Sequence, residues 1–224
     1  MIIAIDGPAA AGKSTLAKNL AQKLGILYLD TGATYRTAAL FAIEQNTDLE
    51  DSSACAEVVG NCEIDLQSSL DGEIRVILNG RDVSEEIRRN DVSEAASRIS
   101  VHPEVRKALV ELQRKIAGNR DVVAEGRDTG SVVFPHADLK IYLDAPLEER
   151  VIRREKDLKN SGQEKQFDEI KKKMQERDKR DMTRKDSPLV CLTDAVYINN
   201  GRYSAEETLQ SVLMVVESMR NSLK

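Results

Sequence analysis

Tryptophan is absent from the 224 residues, and phenylalanine and tyrosine together number only eight. Proteins that grip single-stranded nucleic acid stack bases on aromatic rings, so that function is not expected here. A surplus of positive charge is missing too. Lys and Arg number 33 against 38 Asp and Glu, a net charge of -5, which removes the electrostatic footprint of a nucleic-acid partner. Histidine and cysteine are scarce: His102, His136, Cys55, Cys62 and Cys191 show no paired short spacing. Neither a disulfide framework nor a zinc site is indicated, and all five read as structural. No apolar run approaches membrane length, and Ile2-Ile3-Ala4-Ile5 meets Asp6-Gly7 too soon for a secretory leader. A cytoplasmic protein with no membrane partner is expected.

What is present is an ordinary globular composition, 41% hydrophobic and 32% charged, in a chain long enough for one α/β core with inserted parts. Ile2 to Ile5 reads as a buried strand that breaks into a glycine-containing turn. Leu16, Leu20 and Leu24 then recur at helical spacing up to Gly25. Later apolar runs at Ile26 to Leu29, Val122 to Ala124, Leu139 to Leu143 and Val196 to Ile198 alternate with helical patterns, which implies a mostly parallel sheet flanked by helices. Between Cys62 and Val83 the pattern changes: Ile64 and Leu66 alternate with acids, Glu73 to Leu78 reads as a strand, and Asp71-Gly72 suits a hairpin turn. Residues 60–90 therefore read as an inserted antiparallel piece. From Leu147 to Asp186, 14 Lys or Arg face 11 Asp or Glu, with Asn160-Ser161-Gly162 as a turn between two helices. A capping box from Ser204 to Glu207 opens a last helix with Leu209, Val212, Leu213, Val216 and Met219 on one face.

The chemistry starts at Gly7-Pro8-Ala9-Ala10-Ala11-Gly12-Lys13-Ser14, followed by Thr15. It fits the G-x-x-x-x-G-K-[ST] phosphate loop and lies between a predicted strand and a predicted helix, the context that pattern needs. Gly7 and Gly12 let backbone N–H groups face phosphate oxygens at a helix N-terminus, and Lys13 adds positive charge toward the β- and γ-phosphates of ATP. Ser14 supplies a hydroxyl suited to Mg²⁺.

A phosphate loop names the donor and leaves the acceptor open. Open α/β sheets place ligands beyond their strand ends, and two polar segments follow strands in that way. They are Asp30-Thr31-Gly32-Ala33-Thr34-Tyr35-Arg36, which offers Thr31 and Arg36, and Glu125-Gly126-Arg127-Asp128-Thr129-Gly130. Surface pairing is the commoner use of an arginine, and capping the commoner use of Ser and Asp.

Taken with the phosphate loop, these segments resemble the bacterial cytidylate kinases. So do the A-A-S-R and V-R-K-A-L stretches around Ser97 to Leu109 and the R-D-x-R-D-x-x-R run from Arg177 to Arg184. One position departs from the serine of some members: Thr31 stands in the S-G-A-x-Y-R serine place and keeps the hydroxyl. The resemblance implies a P-loop kinase fold over residues 1–224, with a nucleoside-monophosphate-binding insertion at about 60–100 and a helical lid at about 147–175. It implies that Arg36, Arg127 and Arg184 lie near the phosphate of CMP, that Ser97, Arg106 and Asp128 read cytosine, and that Arg177 and Asp181 hold the ribose end. Arg150, Arg153 and Arg154 become candidates to reach ATP. The activity implied is in-line transfer of the γ-phosphoryl group of Mg²⁺-ATP to CMP, and to dCMP, in pyrimidine metabolism, with Lys13, Arg127 and Arg184 as catalytic cations and a monomer as the working form. UMP or AMP is the alternative acceptor. A GTPase-type switch would need an N-K-x-D segment, and the sequence has none.

Overall fold

The computed structural model describes residues 1–68, 74–160, 162 and 165–222. The Asp71-Gly72 turn, Glu73 and Ser161 therefore lie outside the described residues. In chain order the elements are β1 (Ile2–Asp6), α1 (Lys13–Leu24), β2 (Leu27–Asp30), α2 (Thr31–Glu44), α3 (Ser52–Gly60), β3 (Ile64–Ser68), β4 (Ile74–Leu78) and β5 (Arg81–Asp82). They continue with α4 (Asn90–Ile99), α5 (Pro103–Ala117), β6 (Val122–Gly126), β7 (Leu139–Asp144), α6 (Leu147–Asn160), α7 (Phe167–Thr183), β8 (Val196–Asn199) and α8 (Ala205–Ser222). Among the described residues no helix is long and apolar enough to cross a membrane.

The chain divides into two units. The first, Met1–Gly25 with Val123–Lys224, is built on parallel strands in the order β6-β1-β7-β8. Ile3 pairs with Leu139 and Asp6 with Tyr142, while Ile141 pairs with Val196 and Asp144 with Asn199. These strands are apolar on both faces because helices cover both, so Ile3, Ile5, Ile141 and Leu143 are almost fully buried. The stop at Gly25 is a left-handed C-cap of α1, with φ at 67°. The Ser204 to Glu207 capping box forms in both directions: Ser204 N donates to Glu207 Oε2 at 2.8 Å and Glu207 N to Ser204 Oγ at 3.2 Å. Helices α6 and α7 pair through Val151, Leu158, Ile170 and Met174.

The second unit, Ile26–Val122, carries the antiparallel sheet β3-β4-β5, with Ile64 opposite Leu78 and Ile77 opposite Asp82. Its core joins β-residues such as Val76 and Leu78 to small helical ones, Ala38, Ala39, Ala42, Ala95 and Ala96. Alanine on facing helices permits close approach, and α2 packs on α4 along this stripe. Helix α3, which has no strong sequence signal, is fixed by Asp51, whose Oδ1 accepts from Ser53 N and Ala54 N.

Candidate active site

In the first unit the phosphate loop leaves β1 at Gly7. A Cβ there would stand 2.0 Å from the Leu143 carbonyl oxygen, so only glycine fits. Gly12 has φ at 96° and opens α1. Ala10 also takes a left-handed conformation, φ 58°, a strain of about 1–2 kcal/mol that the sequence pattern did not reveal. Lys13, 5% exposed, folds back so that Nζ donates to the Pro8 carbonyl at 2.8 Å across the loop. Burial, with the charges of Arg127 and Arg177, lowers its pKa to about 7 against the opposing pull of Glu125 and Asp6. Ser14 Oγ donates to Glu125 Oε1 at 2.6 Å.

The crown of this loop is braced by the helical pair. Arg150 Nη1 donates to the Ala9 carbonyl at 3.1 Å and to Asp178 Oδ2 at 2.6 Å, and Asp178 Oδ1 accepts from Ala9 N at 3.4 Å. One turn along α6, Arg153 Nη1 donates to the Ala11 carbonyl at 3.3 Å, an oxygen that also accepts Asn200 Nδ2 at 2.8 Å. Arg150 is thus a buried strut, while Arg153 lines a cavity of about 320 Å³ with Gly12, Thr15, Leu16, Asn200 and Tyr203.

Other residues singled out from the sequence fall into two groups. In the first unit Arg127, Asp128, Arg177, Asp181 and Arg184 come together: Arg127 Nε donates to Asp181 Oδ2 at 2.9 Å, and Arg184 Nη2 stands 3.4 Å from Asp128 Oδ1. Burial works to raise the Asp181 pKa, but the charges of Arg127, Arg177 and Arg184 prevail and hold it below the ordinary carboxylate range. Asp181 in turn keeps Arg127 charged despite burial.

The second unit holds Thr31, Arg36, Ser97 and Arg106. Asp30 caps α2 by accepting from Ala33 N at 2.9 Å and binds Arg36 Nη2 at 2.7 Å through its other oxygen. A Cβ at Gly32 would meet Arg36 Nη1 at 2.9 Å, so the glycine makes room for that fold-back. Thr31 is buried in the first turn of α2, where Gln113 Nε2 donates to Thr34 Oγ1 at 2.8 Å and Thr34 Oγ1 to the Thr31 carbonyl at 2.7 Å. Arg106 lies 5.5 Å over the Tyr35 ring and donates through Nη1 to the Ser100 carbonyl at 3.3 Å, while Ser100 Oγ donates to the Ser97 carbonyl. The sequence alone assigns no role to Asp178, Asn200 or Gln113, and singles out Glu125 only as the first residue of a strand-end segment. For Glu125 a signal existed, an acid at the end of an apolar strand.

A family model described as cytidylate kinase matches residues 3–218. A cytidylate kinase of Caldanaerobacter subterraneus subsp. tengcongensis is 47% identical over 99% of this chain and 96% of its own length. Another, of Solibacter usitatus, is 44% identical over 97% of this chain and 93% of its own. An uncharacterized protein of Eubacterium ventriosum, known from a crystal structure, superposes with a TM-score of 0.53 at 12% identity, covering 97% of this chain and 99% of its own, a likeness of fold alone. With a family model over nearly the whole sequence and full-length relatives at this identity, the chain belongs to the cytidylate kinase family.

Proposed function

We propose that this chain transfers the γ-phosphoryl group of Mg²⁺-ATP to CMP, giving ADP and CDP. The observation that carries this reading is the buried Lys13, which feels the charges of both Arg127 and Arg177 in the first unit. Burial first, and then the charges of the two arginines, lower the lysine pKa, with Glu125 and Asp6 opposing them. Such an arrangement is costly unless polyanions occupy it.

Transfer between two phosphates needs cations more than a base, because the acceptor phosphate, with a second pKa of about 6, is already mostly ionised at neutral pH. Lys13 and the phosphate-loop N–H groups serve the donor. Arg127 and Arg184, oriented by Asp181 and Asp128, serve the transferring group and the acceptor phosphate. The cavity beside Gly12 suits the donor nucleoside, and in the second unit Ser97 and Arg106 serve the base and Arg36 the phosphate. For the metal, the Ser14 hydroxyl and the Glu125 carboxylate form a hard oxygen pair beside the cradle. That matches the habit of Mg²⁺ of taking one or two protein oxygens plus phosphates and waters, and it would neutralise charge developing on those phosphates. Helices α6 and α7 serve as the lid that excludes water.

The test is ADP release in a coupled assay with CMP, dCMP, UMP and AMP offered separately. Release should depend on added acceptor, with CMP giving the highest kcat/KM. Equal release without acceptor, or a preference for AMP, would overturn the reading.

A further inference from the structure

One buried carboxylate has no part in the reaction as described so far. Asp6 ends β1, one residue before the phosphate loop begins, and is 7% exposed. Its oxygens accept from two successive backbone N–H groups, Oδ1 from Thr129 at 2.8 Å and Oδ2 from Gly130 at 2.7 Å. Those residues open the π-type turn Thr129–Val133, directly after Arg127 and Asp128. Burying a carboxylate is costly unless it is well bonded, and N–H groups aimed at a charged acceptor make some of the stronger hydrogen bonds in proteins. The turn is held close: a Cβ at Gly130 would lie 3.4 Å from Asp6 Oδ2 and 3.3 Å from Lys140 side-chain carbons.

We propose that Asp6 is a positioning residue for phosphoryl transfer, fixing the loop that carries Arg127 and Asp128 to the strand end from which the phosphate loop departs. The proposal rests on the reading of Arg127 and Asp128 as acceptor-side residues. Their side chains pair with Asp181 and Arg184, so displacing the turn would shift both pairs. A small misplacement of cations around the transferring group is enough to lower the rate substantially. The phosphate loop, by contrast, keeps its own contacts through Lys13, Arg150, Arg153 and Asn200.

Asp6→Asn tests this. Asparagine keeps one acceptor and turns an amide donor toward the other N–H. The expected result is a loss of about 10- to 100-fold in kcat/KM for CMP, with KM for ATP within about threefold of wild type. Amide exchange at Thr129 and Gly130 should also quicken. If that variant does not fold, Asp6→Glu keeps the charge and both oxygens but moves them outward by one methylene, and should show the same donor–acceptor split at smaller amplitude. Wild-type CMP kinetics in a folded variant, an equal rise in both KM values, or failure of both variants to fold would overturn the proposal. Wild type is assayed on CMP first. If it is inert, the functional reading fails by itself, and unchanged exchange at Thr129 and Gly130 in the variant would still refute positioning by Asp6.

Discussion

The residues assigned to phosphate transfer in the first unit and those assigned to the base in the second are held in place by different means. In the first, charges hold charges: Arg127 with Asp181, Arg184 with Asp128 and Arg150 with Asp178. In the second, Arg36 is likewise held by a carboxylate, Asp30, but Ser97, assigned to the base, stands on a helix packed through alanine, and Arg106 leans on an aromatic ring and a carbonyl. A site for transferring phosphate must bring cations together and then restrain them. A site for a base needs fixed shape and a few correctly pointed donors. The first unit should therefore respond to substitution in rate and pH behaviour, the second in selectivity.

The largest effect is expected from Lys13→Met. Loss of one preorganised cation should lower turnover by the equivalent of about 3–4 kcal/mol while the melting temperature stays level or rises, since a buried lysine with a depressed pKa burdens the fold. Near-normal turnover would break the contrast at its strongest point. Next comes Asp181→Asn, which strands Arg127. A loss of about 2–3 kcal/mol in urea unfolding is expected, below the fully buried range because the Arg127 side chain is 18% exposed. As the folded pKa of Asp181 is depressed, the stability from this pair is fully present above about pH 4 and is lost as pH falls through the lower, folded value. A loss no larger in wild type than in the variant on acidification would show that the pair is not the source.

In the second unit, Arg106→Met should narrow the ratio of kcat/KM for CMP over UMP by about tenfold, the value of a buried donor left without its acceptor. Thermal stability should change less than selectivity, and ATP kinetics should hardly move. An unchanged ratio would reduce Arg106 to packing on Tyr35. The smallest effect is a proton count. With its pKa lowered to about 7, Lys13 in the free protein is largely neutral at about pH 8, and a bound triphosphate favours the charged form. ATP binding should then take up a fraction of a proton at about pH 8 and almost none at about pH 6, as read by calorimetry in buffers of different ionisation enthalpy. Lys13→Met should abolish the uptake. No uptake in wild type at the higher pH would mean that the free lysine is already charged.

Much of this was legible in the sequence, because phosphate loops and strand-end polar segments are local signals. Gly7, Gly12, Lys13 and the polar segment after Val122 to Ala124 could be placed from neighbours in the chain alone. The restraints could not. Asp6 meets its partners 123 and 124 residues away, Ser14 meets Glu125 across 111, and Asn200 reaches Ala11 across 189. No periodicity within a window reports a hydrogen bond over such separations. The left-handed Ala10 and the π-type turn at Thr129 were likewise hidden, since tertiary bonding overrides local preference there.

Arg150 and Arg153 grip the Ala9 and Ala11 carbonyls from one face of α6, so the two grips share a single angular setting. Inserting or deleting one residue between Pro146 and Arg150 would turn the rest of that helix by about 100° and swing both guanidinium groups off the loop together. An insertion of a whole turn, three or four residues, would return them to nearly the same side, though displaced along the axis. Length variation at the start of α6 is therefore expected to be tolerated in steps, a rule that a library of graded insertions would reveal even where single substitutions are mild.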